Sequence, residues 1–191
     1  MPSIDQNFLE TLHDDYRNYP CFIETGTHCG DTIMAVEPYF RQLYTIEISE
    51  KYHALARDRA ADAGVTNIDF LLGDSSVVFR YLLPSITEKT VFFLDGHWSS
   101  GDTGRGDKDV PLLEEIALIH DSFAHEAILI IDDFRLFGKG QESGVNEDWT
   151  DIGRERILEL LGSRVKDMYH LGSEHHAEDR FIVHIGQKVS R

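Results

Sequence analysis

Along this chain, apolar runs of strand length alternate with stretches of helical periodicity. The runs are residues 21–26 (CFIETG), 43–48 (LYTIEI), 68–74 (IDFLLGD), 91–96 (VFFLDG) and 127–134 (AILIIDDF). Each is apolar throughout and turns polar at its C-terminal end, the pattern of a strand covered on both faces. Between the runs, the spacing predicts helices. Tyr52, Leu55, Ala56, Ala60 and Ala63 share one helical face, which Ser49 can cap and Gly64 can end. Pro111 opens PLLEEIALIH as a first-turn proline, and Thr150 or Asp151 can cap a helix that runs to Leu161 and stops at Gly162. Residues 5–17 predict one more helix, lying on the sheet.

The tail breaks this rhythm. Residues 166–172 and 179–186 both read as strands, with a polar turn and no helix between them, so they must pair antiparallel. The expectation is an α/β fold: a doubly wound, seven-stranded sheet of five parallel strands plus a C-terminal antiparallel pair, with helices on both faces. No repeat, low-complexity tract or interdomain linker interrupts it, so residues 1–191 are expected to form a single domain.

Composition narrows the function classes. Of 191 residues, 41% are hydrophobic and 27% charged, which excludes a disordered, collagenous or disulfide-stapled chain. The net charge of −16 opposes binding to nucleic acid or to an anionic membrane and favours a divalent cation. Cys21 and Cys29 match neither a disulfide framework nor a zinc spacing. The first 20 residues show no signal-peptide pattern, and no apolar run reaches the ~18 residues a membrane span needs. The reading is a cytoplasmic protein with a small-molecule partner; a homo-oligomer stays open.

In an open α/β sheet, ligands bind at the carboxyl ends of the strands. Here those ends carry Glu24, Glu47, Asp74, Asp95 and the pair Asp132–Asp133. Five acidic strand ends buried without partners would be costly, so the pattern points to a ligand with many donors, a metal, or both. The first turn reads Glu24-Thr25-Gly26-Thr27-His28-Cys29-Gly30-Asp31-Thr32. Gly26 allows a sharp turn and Gly30 a close helix. A dinucleotide fingerprint, GxGxxG, would place glycine where His28 stands, so a pyrophosphate has less room. Glu47 follows Glu24 at about the distance at which a second-strand acid takes both hydroxyls of a ribose. A cationic nucleoside carrying an amino acid fits both facts.

In this order, ETGTHCGDT, IEIS, GDSS, LDGHW and IDDF resemble the motifs of class I S-adenosylmethionine (SAM)-dependent methyltransferases, across about residues 20–186. The resemblance implies a Rossmann-like fold with SAM as cofactor. Carried across by position, Glu24, Thr25, Gly26, Gly30 and Thr32 would line its methionine part. Glu47 would hold the ribose, Asp74 and Ser75 would border the adenine, and Asp95 would contact the cofactor from the fourth strand.

LDGHW followed by IIDDF is similar, more narrowly, to the metal-dependent macrocin O-methyltransferase-like and cephalosporin hydroxylase-like branch. That resemblance implies Asp95, Asp132 and Asp133 as ligands of Mg²⁺ or another divalent cation. Three carboxylates with no soft ligand nearby suit such an ion. His97, where that branch carries an aspartate, is the candidate catalytic base: an imidazole of unperturbed pKa about 6.5 accepts a proton near neutrality. Residues 96–110 and 134–149 form long loops over the same face, with Asp102, Arg105, Asp107 and Lys108 as candidate acceptor contacts. The expected function is methyl transfer from SAM to a hydroxyl of a sugar or natural product. The alternatives are an NAD(P)-dependent oxidoreductase on a similar sheet and a non-methylating metal-binding protein.

Overall fold

The structure is a computed structural model that describes residues 2–98 and 103–189. Its strands are β1 (Cys21–Thr25), β2 (Gln42–Glu47), β3 (Ile68–Leu72), β4 (Thr90–Leu94), β5 (Ala127–Ile131), β6 (Val165–Leu171) and β7 (Arg180–Ile185). The helices are α1 (Gln6–Leu9), α2 (Asp31–Val36), α3 (Glu50–Asp62), α4 (Ser75–Leu82), α5 (Leu112–Ser122) and α6 (Arg154–Leu161).

The seven strands form one sheet in the order β3-β2-β1-β4-β5-β7-β6. The first five are parallel. β7 inserts between β5 and β6 and runs antiparallel to both. The reversed strand therefore starts at the edge where the parallel strands end. The chain winds outward in two directions from β1 and β4, and the crevice at such a reversal is where open α/β sheets bind ligands.

Continuous apolarity along the strands has its reason in the two faces. Ile23, Phe92, Leu129 and Val183 point into one core, with Phe79, Ile116 and Ile157 from α4, α5 and α6. Their neighbours Phe22, Val91, Phe93, Ile128 and Ile182 point into the other, with Ile33 and Val36 of α2 and the N-terminal Ile4, Leu9 and Tyr16. All five β5 residues are fully buried, each Ile and Leu side chain among them contributing on the order of 1.5–3 kcal/mol.

Local signals shift some boundaries. The helix expected over 5–17 is only α1 and a 3₁₀ turn at Tyr16–Asn18. The Asp15 carboxylate accepts from the Arg17 N–H, a local bond that competes with helix continuation. α6 starts at Arg154 rather than after Thr150, because Thr150 turns its hydroxyl and its N–H to the Asp148 carboxylate. Pro111 stands just before α5 rather than inside its first turn.

Candidate functional site

The turn after β1 is built from backbone that only certain residues accept. Gly26 has φ +84°, and a Cβ there would lie 2.3 Å from the Asp95 carbonyl oxygen. Gly30, the N-cap of α2, has φ +76° and lies close against Ala56 of α3. Between them His28 is left-handed without being glycine, at φ 47°, a strain of about 1–2 kcal/mol. Its N–H donates to Glu47 Oε2 at 2.7 Å, while Glu47 Oε1 accepts from the Ser49 N–H at 2.8 Å. The Glu47 carboxylate is thus fixed by two backbone donors.

This turn, the ends of β2, β3 and β4, and the loop after β4 enclose a cavity of about 320 Å³. Of the expected cofactor residues, Gly26, Thr32, Glu47, Asp74, Ser75 and Asp95 line it; Glu24, Thr25 and Gly30 do not. Glu24 lies beneath the floor, fully buried, and accepts from the Thr45 hydroxyl at 2.6 Å. Burial pushes its carboxyl well above the ordinary range, and the Asp95 and Glu47 charges add to the effect. Thr25 is also wholly buried. Asp74 uses one carboxylate oxygen to cap α4 through the Ser76 N–H at 2.8 Å.

The loop after β4 folds back over this cavity. A Cβ at Gly104 would meet Ile48 at 2.2 Å, and one at Gly106 would meet the Asp74 carboxylate at 2.5 Å. The Arg105 guanidinium sits 4.5 Å over the Trp98 ring and pairs with Asp109 at 2.6 Å. Lys108 pairs with Glu114. Asp102 lies outside the described residues. In the 134–149 loop, Trp149 is buried in the core, and Phe134 and Phe137 pack against it.

A second cavity, about 790 Å³, opens beside the first, under the 134–149 loop and the β6–β7 turn. Ser3, Asp95 and His97 line both. The His97 imidazole lies between two carboxylates, 3.4 Å from Asp95 and 3.3 Å from Asp133. Burial pulls its pKa down, but the Asp95 hydrogen bond and the two acidic charges outweigh this and raise it to about 8. The ring is therefore mostly protonated at pH 7, not mostly neutral as its unperturbed value predicts.

The expected trio of metal ligands is divided between two groups. Asp95, His97 and Asp133 bring ligand atoms within 4.8 Å of one another, and so do Asp132, Asp133 and Asp179. Asp133 can serve both because its φ of 59° already turns the chain. In the second group Arg135 pairs with Asp133 and, at 2.6 Å, with Asp179, while Arg180 lies 3.4 Å from Asp132. Guanidinium groups hold those carboxylates, so this group does not suit a cation. The first group suits one by donor type only with His97 as third ligand.

Sequence reasoning missed Arg135, Asp179, Arg180 and the buried Glu115. The signal for Asp179 and Arg180 was present: an antiparallel last strand must begin at the edge where parallel strands end. Glu115 sits in a helix whose spacing reads as ordinary amphipathic structure.

No family model matches the chain, and no curated protein matches it. Solved structures do. The O-methyltransferase TomG from Streptomyces achromogenes, solved with SAM, aligns over 90% of this chain and 75% of its own, with TM-score 0.66 and 19% identity. An O-methyltransferase from Bacillus cereus, solved with S-adenosylhomocysteine (SAH), aligns over 90% and 76%, with TM-score 0.65 and 16% identity. A putative rRNA methylase from Clostridium thermocellum covers 98% of both chains, with TM-score 0.61 and 14% identity. The fold is that of SAM-dependent methyltransferases. Among the described residues, no helix is long and apolar enough to cross a membrane.

Proposed function

We propose that this chain transfers the methyl group of SAM to a hydroxyl of a small polar acceptor. The observation that carries the reading is the sharing of Asp95 and His97 between the two cavities. A methyl donor in the first and an acceptor in the second would meet at these residues. Glu47, pinned at the end of β2, takes the ribose hydroxyls on its remaining lone pairs. Asp74 and Ser75 border the adenine. The acceptor oxygen attacks the methyl carbon as the bond to sulfur breaks, and His97 takes the hydroxyl proton. Catalysis is mostly alignment. Because His97 is held near pKa 8, it is competent only in its minority neutral form at pH 7.

Among its described residues, the second cavity has no Phe, Tyr or Trp in its lining, which favours a hydroxylated, non-aromatic acceptor. A net charge of −16 disfavours RNA as acceptor, despite the rRNA methylase neighbour. Two unpaired cysteines suit a cytoplasmic setting.

A second reading of His97 rests on the Asp95–His97–Asp133 grouping: the three together hold a divalent cation. Bound there, the ion would lower the pKa of the acceptor hydroxyl.

The cofactor assignment is tested at Glu47. Charge-assisted hydrogen bonds to two hydroxyls contribute about 1.5–3 kcal/mol each. Glu47→Ala is expected to weaken SAH binding at least tenfold by calorimetry while the protein stays folded. Unchanged affinity removes Glu47 from the cofactor site.

A further inference from the structure

Glu115 is used by nothing in the mechanism above. It lies in the first turn of α5, only 1% exposed, with its carboxyl beneath the turn that follows β4. A Cβ at Gly96 would lie 2.9 Å from Thr25 Oγ1 and 3.2 Å from Glu115 Oε1, so Gly96 rests directly on both groups. Both atoms are sealed from solvent, and neither makes a well-formed hydrogen bond. The hydroxyls of Ser75 and Thr25 lie close enough to the carboxyl to stabilise its charged form. One side chain therefore touches the end of β1, the turn after β4 and the start of α4. Gly96 and Ser75 line the first cavity, and Thr25 immediately precedes Gly26, which lines it too.

We infer that Glu115 is a positioning residue for the cofactor, its carboxyl setting the separation between the Ser75 wall of the cavity and the turn that carries Asp95 and His97. The inference rests on reading that cavity as the SAM site. The proton on Glu115 is part of the device. Burial is the main force that raises its pKa to about 7; the charges of Asp74 and Glu114 add to it, and the Ser75 and Thr25 hydroxyls oppose it. Asp95, next to Gly96, is a third acid on that side. A protonated carboxyl can donate to Thr25 Oγ1, for which the structure offers no well-formed hydrogen bond otherwise. An ionised one can only accept; the Ser75 and Thr25 hydroxyls donate to it, but they do not offset a buried negative charge beside Asp74, so the three segments separate as water enters.

The test is SAH binding by calorimetry for wild type, Glu115→Gln and Glu115→Ala, each at about pH 6 and about pH 8.5, on either side of the carboxyl's titration. Wild type is expected to lose about tenfold in affinity across that interval, the equivalent of about 1.4 kcal/mol. Glu115→Gln keeps a donor and cannot ionise, so it should hold its affinity at both. Glu115→Ala should bind weakly at both. His97 and the other titrating groups are common to wild type and Glu115→Gln, so the difference in profile isolates Glu115. Identical profiles for these two proteins overturn the inference, as does a folded Glu115→Ala that binds like wild type. Should Glu115→Ala not fold, the wild-type and Gln profiles decide. Wild type that binds no SAH at either pH overturns the cofactor reading together with the inference, whereas binding with matched profiles overturns the inference alone.

Discussion

On the β1–β2 side of the molecule the cavity wall is mainly backbone. Gly26, His28 and Gly30 alternate through the left-handed region, and the Glu47 carboxylate lining the cavity there is held by two N–H groups. On the β5–β7 side the wall is mainly side chain. Asp95, Asp132, Asp133 and Asp179 meet His97, Arg135 and Arg180 in a chain of ion pairs. The first arrangement leaves few soft degrees of freedom and suits a ligand of constant shape. The second is held by side chains whose charges offset one another pair by pair. The backbone wall should therefore fail abruptly on substitution, and the side-chain wall by degrees.

The sharpest break in the backbone wall is Gly26→Ala. The new methyl would meet the Asp95 carbonyl at 2.3 Å, at a φ of +84° that alanine resists. Moving that carbonyl moves Asp95 itself. The expected result is loss of SAH binding by about 100-fold or more, about 2.7 kcal/mol, with a lower melting temperature. Near-normal binding would show the turn to be more pliable than its geometry implies.

On the other wall, His97→Ala should cost about 10²–10⁴ in turnover, the usual contribution of a positioned base. SAH affinity should stay within about twofold. Wild-type turnover should rise with pH through about 8, because the proton must leave His97 before it can accept another. Titration with Mn²⁺ separates the two readings of this residue. A wild-type thermal shift that vanishes in His97→Ala makes it a ligand; a wild type indifferent to the ion leaves it the base.

Legibility in the sequence followed the same division. The seven strands are visible because burial on both faces forces continuous apolar runs such as AILII, and the tail pair because no helix separates its strands. The strand-end acids are visible because a parallel sheet collects them at one edge. What stayed hidden depends on three-dimensional pairing. Nothing in the spacing of Asp133, Arg135 and Asp179 says that one guanidinium bridges two carboxylates 46 residues apart in sequence. Nor does an amphipathic helix announce that Glu115 points inward. Glu24 was expected in the cofactor site on position alone, and the pleat puts it under the floor instead, bonded to Thr45.

The gentlest expected effect sets the two walls against each other through pH and stability. Glu24 and Glu115, behind the backbone wall, have raised folded-state pKa values. Such groups contribute stability fully at pH below their unfolded value of about 4.3, and it is lost as pH rises through the folded value, about 7 for Glu115. Asp179, in the side-chain wall, goes the other way. Burial pushes its carboxyl up, but the Arg135 and Ser173 hydrogen bonds prevail and hold it below the ordinary range. Its contribution is present above the unfolded value of about 3.9 and is lost as pH falls through the lower folded value. Stability should thus peak in mildly acidic solution: Asp179 carries part of the acid limb, while Asp95, Asp132 and His97, also in the side-chain wall and all with raised pKa values, join Glu24 and Glu115 in the alkaline limb. Arg135→Ala should flatten the acid limb, since Asp179 would keep its burial and lose its cation, so that its carboxyl rises and its ionised form no longer contributes stability; the melting temperature should fall by a few degrees near neutral pH and change little below about pH 4. Because Asp179 then ionises against its burial, it should add to the loss of stability as pH rises. Thermal denaturation of both proteins across the pH range reads this directly, and an Arg135→Ala protein destabilised equally at about pH 3 and about pH 7 would mean that Arg135 acts through packing rather than through the Asp179 charge.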